Sequence, residues 1–99
     1  MKRPDILNKA KECVCGQREQ DYGTPENNFW TIAKMWSVYL QAANPAGEAK
    51  HVKISSNDVA MMMALLKIAR IATGTGTADS YIDLAGYAAC GGEINTEHE

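Results

Sequence analysis

The sequence predicts an all-α protein: a four-helix bundle, oligomeric, with helices 3 and 4 forming an antiparallel hairpin. Three observations carry this expectation. Apolar residues recur at helical spacing in four segments, and each segment is bounded by residues that start or stop helices. The stretch Asp58–Ala72, DVAMMMALLKIARIA, is apolar almost all the way round a helix, so most of its sides need cover. Two Trp, four Tyr and five Met in 99 residues are more large apolar side chains than a small core absorbs, which points to self-association.

Helix 1 opens with Pro4 in its first turn, runs through Ile6, Leu7, Ala10 and Val14, and stops at Gly16. A polar loop, GQREQDYG, follows. Helix 2 starts at Thr24-Pro25-Glu26, with Thr24 as N-cap, Pro25 at the first helical position and an acid at the positive dipole end. It carries Trp30, Ile32, Ala33, Trp36, Tyr39 and Leu40, and ends near Asn44-Pro45. Most of the aromatic residues at helical spacing, Trp30, Trp36, Tyr39, Tyr81 and Tyr87, are expected in the core.

Residues Asn44–Ser55 read as the longest linker, with a short extended piece at His51–Ile54. Ser55-Ser56-Asn57-Asp58 fits a capping box and starts helix 3 near Ser56. The loop Thr73–Thr77 leads to helix 4, which Thr77 is expected to cap and Gly91-Gly92 to stop. The expected organisation is one helical domain over residues 1–92 and a flexible acidic tail over 93–99.

The net charge of −2 and a pI near 5.6 set the chain apart from general nucleic-acid binders, which show a basic stripe. Met1–Leu7 has no apolar core of a secretory signal, and Val59–Leu66 is too short to span a bilayer. Cys13, Cys15 and Cys90 are odd in number and read as thiols of a reducing compartment. The expected location is therefore the cytoplasm, with no membrane and no nucleic-acid partner. His51 and His98 are isolated, so no metal site is expected.

Two constellations carry chemistry. A short hairpin connection centred near Gly74–Gly76 places Lys67 opposite Asp83 and Arg70 opposite Asp79, because both helices share one rise per residue. Asp79, Asp83 and Tyr87 lie four apart on one stripe. These charges form either two interhelical ion pairs that brace the hairpin or a polar cleft for phosphate and ribose. The second constellation is Arg18, Tyr22 and Gly23, followed by the helix 2 N-terminus, whose unpaired amides favour anions. Tyr22 can stack on a base and Asn28 can read its edge; the plain alternative is an interhelical loop whose Tyr22 covers the core.

The motifs RxxxYGxxxxNF at Arg18–Phe29, IAxxW at Ile32–Trp36, DVAxxMxxLKIAR at Asp58–Arg70 and DxxxDxAGY at Asp79–Tyr87 stand in fixed order. From Ile6 to Ala89 the chain resembles a group of small all-α proteins of unknown function from phages and prophages. It is also distantly similar to MazG-type nucleoside triphosphate pyrophosphohydrolases, oligomeric bundles that hold magnesium with E-x-x-E and E-x-x-D pairs. Here Phe29–Gln41 contains no acid, no E-x-x-E occurs, and Asp79 and Asp83 are four apart.

The leading expectation is a phage-type protein that binds a nucleotide, or a nucleotide-derived host defence signal, in a pocket at or near a subunit interface. No catalytic residue or cofactor is assigned to it. The ligand-binding residues would be Arg18, Tyr22, Asn28, Lys67, Arg70, Asp79, Asp83 and Tyr87. The alternatives are a divergent Mg2+-dependent pyrophosphohydrolase and a structural interaction module.

Overall fold

Among the described residues, four α-helices follow one another in sequence. The computed structural model describes residues 1–16 and 23–97. Helix α1 spans Arg3–Cys15, α2 Pro25–Ala43, α3 Ser56–Arg70 and α4 Ala78–Thr96, with a short 3-10 turn at Glu48–His51. The expected all-α class and the α3–α4 hairpin are both observed. This hairpin is the centre of the molecule: α1 packs along α4, and α2 along α3.

The helix starts follow from local chemistry. Asp5 accepts the Lys2 N–H at 3.0 Å, and Thr24 Oγ1 accepts the Asn27 N–H at 3.3 Å. At α3 the capping box closes in both directions: Ser55 Oγ accepts the Asp58 N–H at 3.0 Å, and Asp58 Oδ2 accepts the Ser55 N–H at 2.9 Å. Thr77 occupies the N-cap position of α4, but its side chain makes no capping bond; its carbonyl accepts the Ser80 N–H instead.

Among the described residues there is no strand, so the extended piece expected at His51–Ile54 pairs with nothing sheet-like. His51 closes the 3-10 turn, and the residues after it are held by side chains of α2. Gln41 Nε2 donates to the Val52 carbonyl at 2.8 Å. The buried Ser37 Oγ accepts the Ile54 N–H at 2.8 Å while donating to the Ala33 carbonyl at 2.7 Å.

A second correction concerns the end of α4. The helix runs through Gly91-Gly92 to Thr96, and Ile94 packs against the core. Gly91 serves close packing rather than termination. A Cβ there would lie 3.0 Å from both Ala60 Cβ and Met61 Cε, so its hydrogen is what lets α3 approach. Gly86 does the same for α1, where a Cβ would meet Val14 Cγ1 at 3.0 Å. The hairpin connection is a wide π turn, Ile71–Thr75, with Gly74 at φ 112°, a left-handed conformation that favours glycine.

The core sets one aromatic ring among small residues. Phe29, Ala33, Val59, Ala60 and Cys90 are buried, with Val14, Ile32, Trp36, Ile54, Met63, Tyr87 and Ile94 packed against them. The expectation that most large aromatics are internal is corrected: Trp30 is 56%, Tyr39 70% and Tyr81 47% exposed. The reason is the choice of face. Helix α2 turns Phe29, Ala33 and Ser37 inward at four-residue spacing, which leaves Trp30 and Tyr39 on other sides. Trp30 is partly covered by the Lys34 ammonium, 5.4 Å from its ring centroid.

Candidate functional site

The four helices converge on one cavity of about 280 Å³. Helix α1 supplies Cys13 and Val14; Gly23 and the first two turns of α2 supply Pro25, Asn28, Phe29 and Ile32. Met63 comes from α3, and α4 contributes Ile82, Asp83, Gly86, Tyr87 and Cys90. The wall is mostly apolar. The Phe29 and Tyr87 rings stand 6.2 Å apart, tilted by 33°, and form its aromatic side. Asn28, Asp83 and Tyr87 are the lining residues that carry polar side-chain groups besides the cysteines.

Asp83 is fixed from behind. Lys67 Nζ lies 3.0 Å from Asp83 Oδ2, with the two side chains only 17% and 22% exposed. Shielding of this degree strengthens the pair relative to a surface contact. The predicted register of the hairpin is thus observed for Lys67 and Asp83. It is not observed for Arg70 and Asp79, which are both exposed and form no ion pair with each other. They stand next to the π turn, where the helical geometry behind the register ends, and two hydrated charges gain little by pairing there.

The structure therefore brings Asn28, Asp83 and Tyr87 to one cavity and attaches Lys67 to it through Asp83. Arg70 and Asp79 lie apart on the surface. Arg18 and Tyr22 fall outside the described residues. The walls from α1 and from Phe29, Ile32, Met63 and Cys90 were missed by sequence reasoning. Only Phe29 carried a usable signal, its position in the NF pair of the RxxxYGxxxxNF motif.

Met61–Met63 point in different directions, as three consecutive helical residues must: Met63 lines the cavity, whereas Met61 and Met62 are exposed. Among the described residues no three His, Cys, Asp or Glu side chains gather as a metal cage would require, and no helix is long and apolar enough to cross a membrane.

The fold and cavity define a class: a small all-α protein with a largely apolar cavity beside a partly buried ion pair. The particular family follows from comparison. The chain belongs to the family described as "Domain of unknown function (DUF6378)", whose model matches residues 5–95. It is 43% identical over 86 residues to the Gene 55 protein of Mycobacterium phage D29, covering 86% of this chain and 50% of that protein. With the Gene 55 protein of Mycobacterium phage L5 it shares 41% over 83 residues, 84% of this chain and 47% of the relative. The chain thus spans about half the length of these phage relatives. No solved structure matches. The resemblance to a small phage family of unknown function, read from the motifs, is borne out.

Proposed function

We propose that this protein binds a nucleotide-derived ligand and takes its base into the cavity between α1, α2 and α4. The observation that supports this most is the composition of the wall. Two tilted aromatic rings offer a stacking surface, and an amide and an ion-paired carboxylate stand beside them. The Asn28 amide presents a donor and an acceptor, the pattern needed to read a base edge. Asp83, restrained by Lys67, accepts from an exocyclic amine or ring N–H.

The volume of about 280 Å³ suits a ring system rather than a whole nucleoside triphosphate. Sugar and phosphate would extend past Gly23 at the start of α2. Arg70 and Asp79, both exposed, are not assigned to this ligand. Capture without turnover would serve a phage by removing a host signal, a use in keeping with the phage relatives.

Thermal denaturation against bases, nucleosides, nucleotides and cyclic dinucleotides, with and without magnesium, tests the proposal. A ligand at a hundredfold its Kd should add about 2.7 kcal/mol, a Tm rise of roughly 10 °C or more for a chain of this size. Asn28→Ala should weaken that ligand about tenfold, the loss of one hydrogen bond. If no compound carrying a base raises Tm, the proposal fails. Magnesium-dependent conversion of the ligand would replace capture with catalysis.

A further inference from the structure

Helix α3 is turned the opposite way from a helix in a self-sufficient core. Its buried residues are Val59, Ala60 and Ala64, whereas Met61, Met62, Leu65 and Ile68 are exposed, Leu65 by 62%. Met61, Leu65, Ile68 and Ala72 follow one another at intervals of four, three and four residues, which is one continuous stripe along the helix. From Val59 to Ala69 the only charge on α3 is Lys67, and that side chain is turned inward to Asp83.

The surface area says how much cover is missing. The chain exposes 7039 Å². A folded monomer of 10.8 kDa exposes about 5,500 Å². The surplus is spread over the whole chain, α2 included, and at about 1,500 Å² it leaves room for the roughly 800 Å² that each partner buries in a standard stable interface. The radius of gyration agrees, at 15.1 Å against about 13 Å for a compact domain of this length.

We propose that α3 is the interface of a homodimer, packed antiparallel against α3 of a second copy across a two-fold axis at Leu65. Such an axis makes one patch complementary to itself. It sets Leu65 against Leu65, Met62 against Ile68 and Met61 against Ala69, so that flexible thioethers flank the axis and one of them meets only a methyl group. Interdigitation of this kind sets the close approach of packed helices. None of Met61, Met62, Leu65 and Ile68 lines the cavity, so this inference stands apart from the ligand proposal.

The test is solution mass by light scattering, followed by substitution at the axis. The wild-type chain should run at twice 10.8 kDa at micromolar concentration. Leu65→Glu should weaken association by about a thousandfold or more, because two leucines leave the interface and two carboxylates enter it. Should that variant misfold, Leu65→Cys supplies an independent readout: mild oxidation should join residue 65 to residue 65, identified by peptide mass mapping. A monomeric wild-type chain overturns the proposal, as does a dimer unaffected by Leu65→Glu or a Leu65→Cys dimer with no bond at that position.

Discussion

Lys67 and Asp83 show what a residue pair can and cannot reveal about a site. Their contact follows from the sequence because two antiparallel helices with equal rise keep register, and the turn fixes where counting starts. The same arithmetic fails for Arg70 and Asp79, one turn closer to a connection that is no longer α-helical. The pair braces the hairpin, and Asp83 also lines the cavity, so the two roles need separating. Asp83→Leu and Lys67→Met should each destabilise the fold by about 1–3 kcal/mol, between the values for exposed and fully buried pairs. Lys67→Met with Asp83→Leu should recover most of that loss, since two apolar groups leave no charge uncompensated. Urea denaturation of the four proteins measures this cycle. Full additivity of the single losses would show that the pair does not brace the hairpin. Ser37 makes a parallel case for polar residues inside the core. Its hydroxyl satisfies the Ile54 N–H, so Ser37→Ala should cost about 1–2 kcal/mol in the same assay by leaving that donor without its partner. A wild-type midpoint would refute this.

At the level of helices, boundaries marked by caps were legible. Thr24-Pro25 and the Ser55–Asp58 box announce α2 and α3 because their side chains bind the backbone groups that a helix start leaves open. The end of α4 was not legible, because glycine has two uses that look alike in sequence. A stop and a close helix crossing both select the residue without a Cβ. Gly91 and Gly92 separate these uses. At Gly91 an added methyl collides with Ala60, Met61 and Asn57, whereas at Gly92 nothing lies within 4 Å. Gly92→Ala should therefore stabilise the chain by roughly 0.5–1 kcal/mol through helix propensity alone. Gly91→Ala should lose that gain and destabilise by about 1–3 kcal/mol through overpacking. Thermal melts of the two variants decide the matter; equal effects would mean that α3 does not sit against Gly91 as described.

For the whole molecule, apolar periodicity shows which residues want cover but not which element supplies it. The four helices and their order could be read from the sequence, yet the contribution of α1 to the cavity could not, because Cys13 and Val14 carry no pattern that names a partner. The large residues of α2 and α3 posed the same problem. They are apolar enough to be core, yet apart from Phe29, Val59 and Ile82 the helices bury mainly small residues such as Ala33, Ala60, Ala64, Gly86 and Gly91. Small residues inward bring the hairpin helices close together, and large residues outward create a surface that a single chain leaves wet. The hydrophobic stabilisation of one chain is correspondingly modest, since transfer energy scales with the apolar area removed from water. Association would supply the rest, which ties stability to concentration. If folding and dimerisation are coupled, each tenfold rise in protein concentration adds about 1.4 kcal/mol per dimer and should raise Tm by about 3 °C. Circular dichroism melts at 5-fold to 50-fold spaced concentrations would read this directly, at about 2–5 °C across that range. A Tm independent of concentration would mean that the small-residue core holds the fold alone, and the exposed leucines of α3 would then need another explanation.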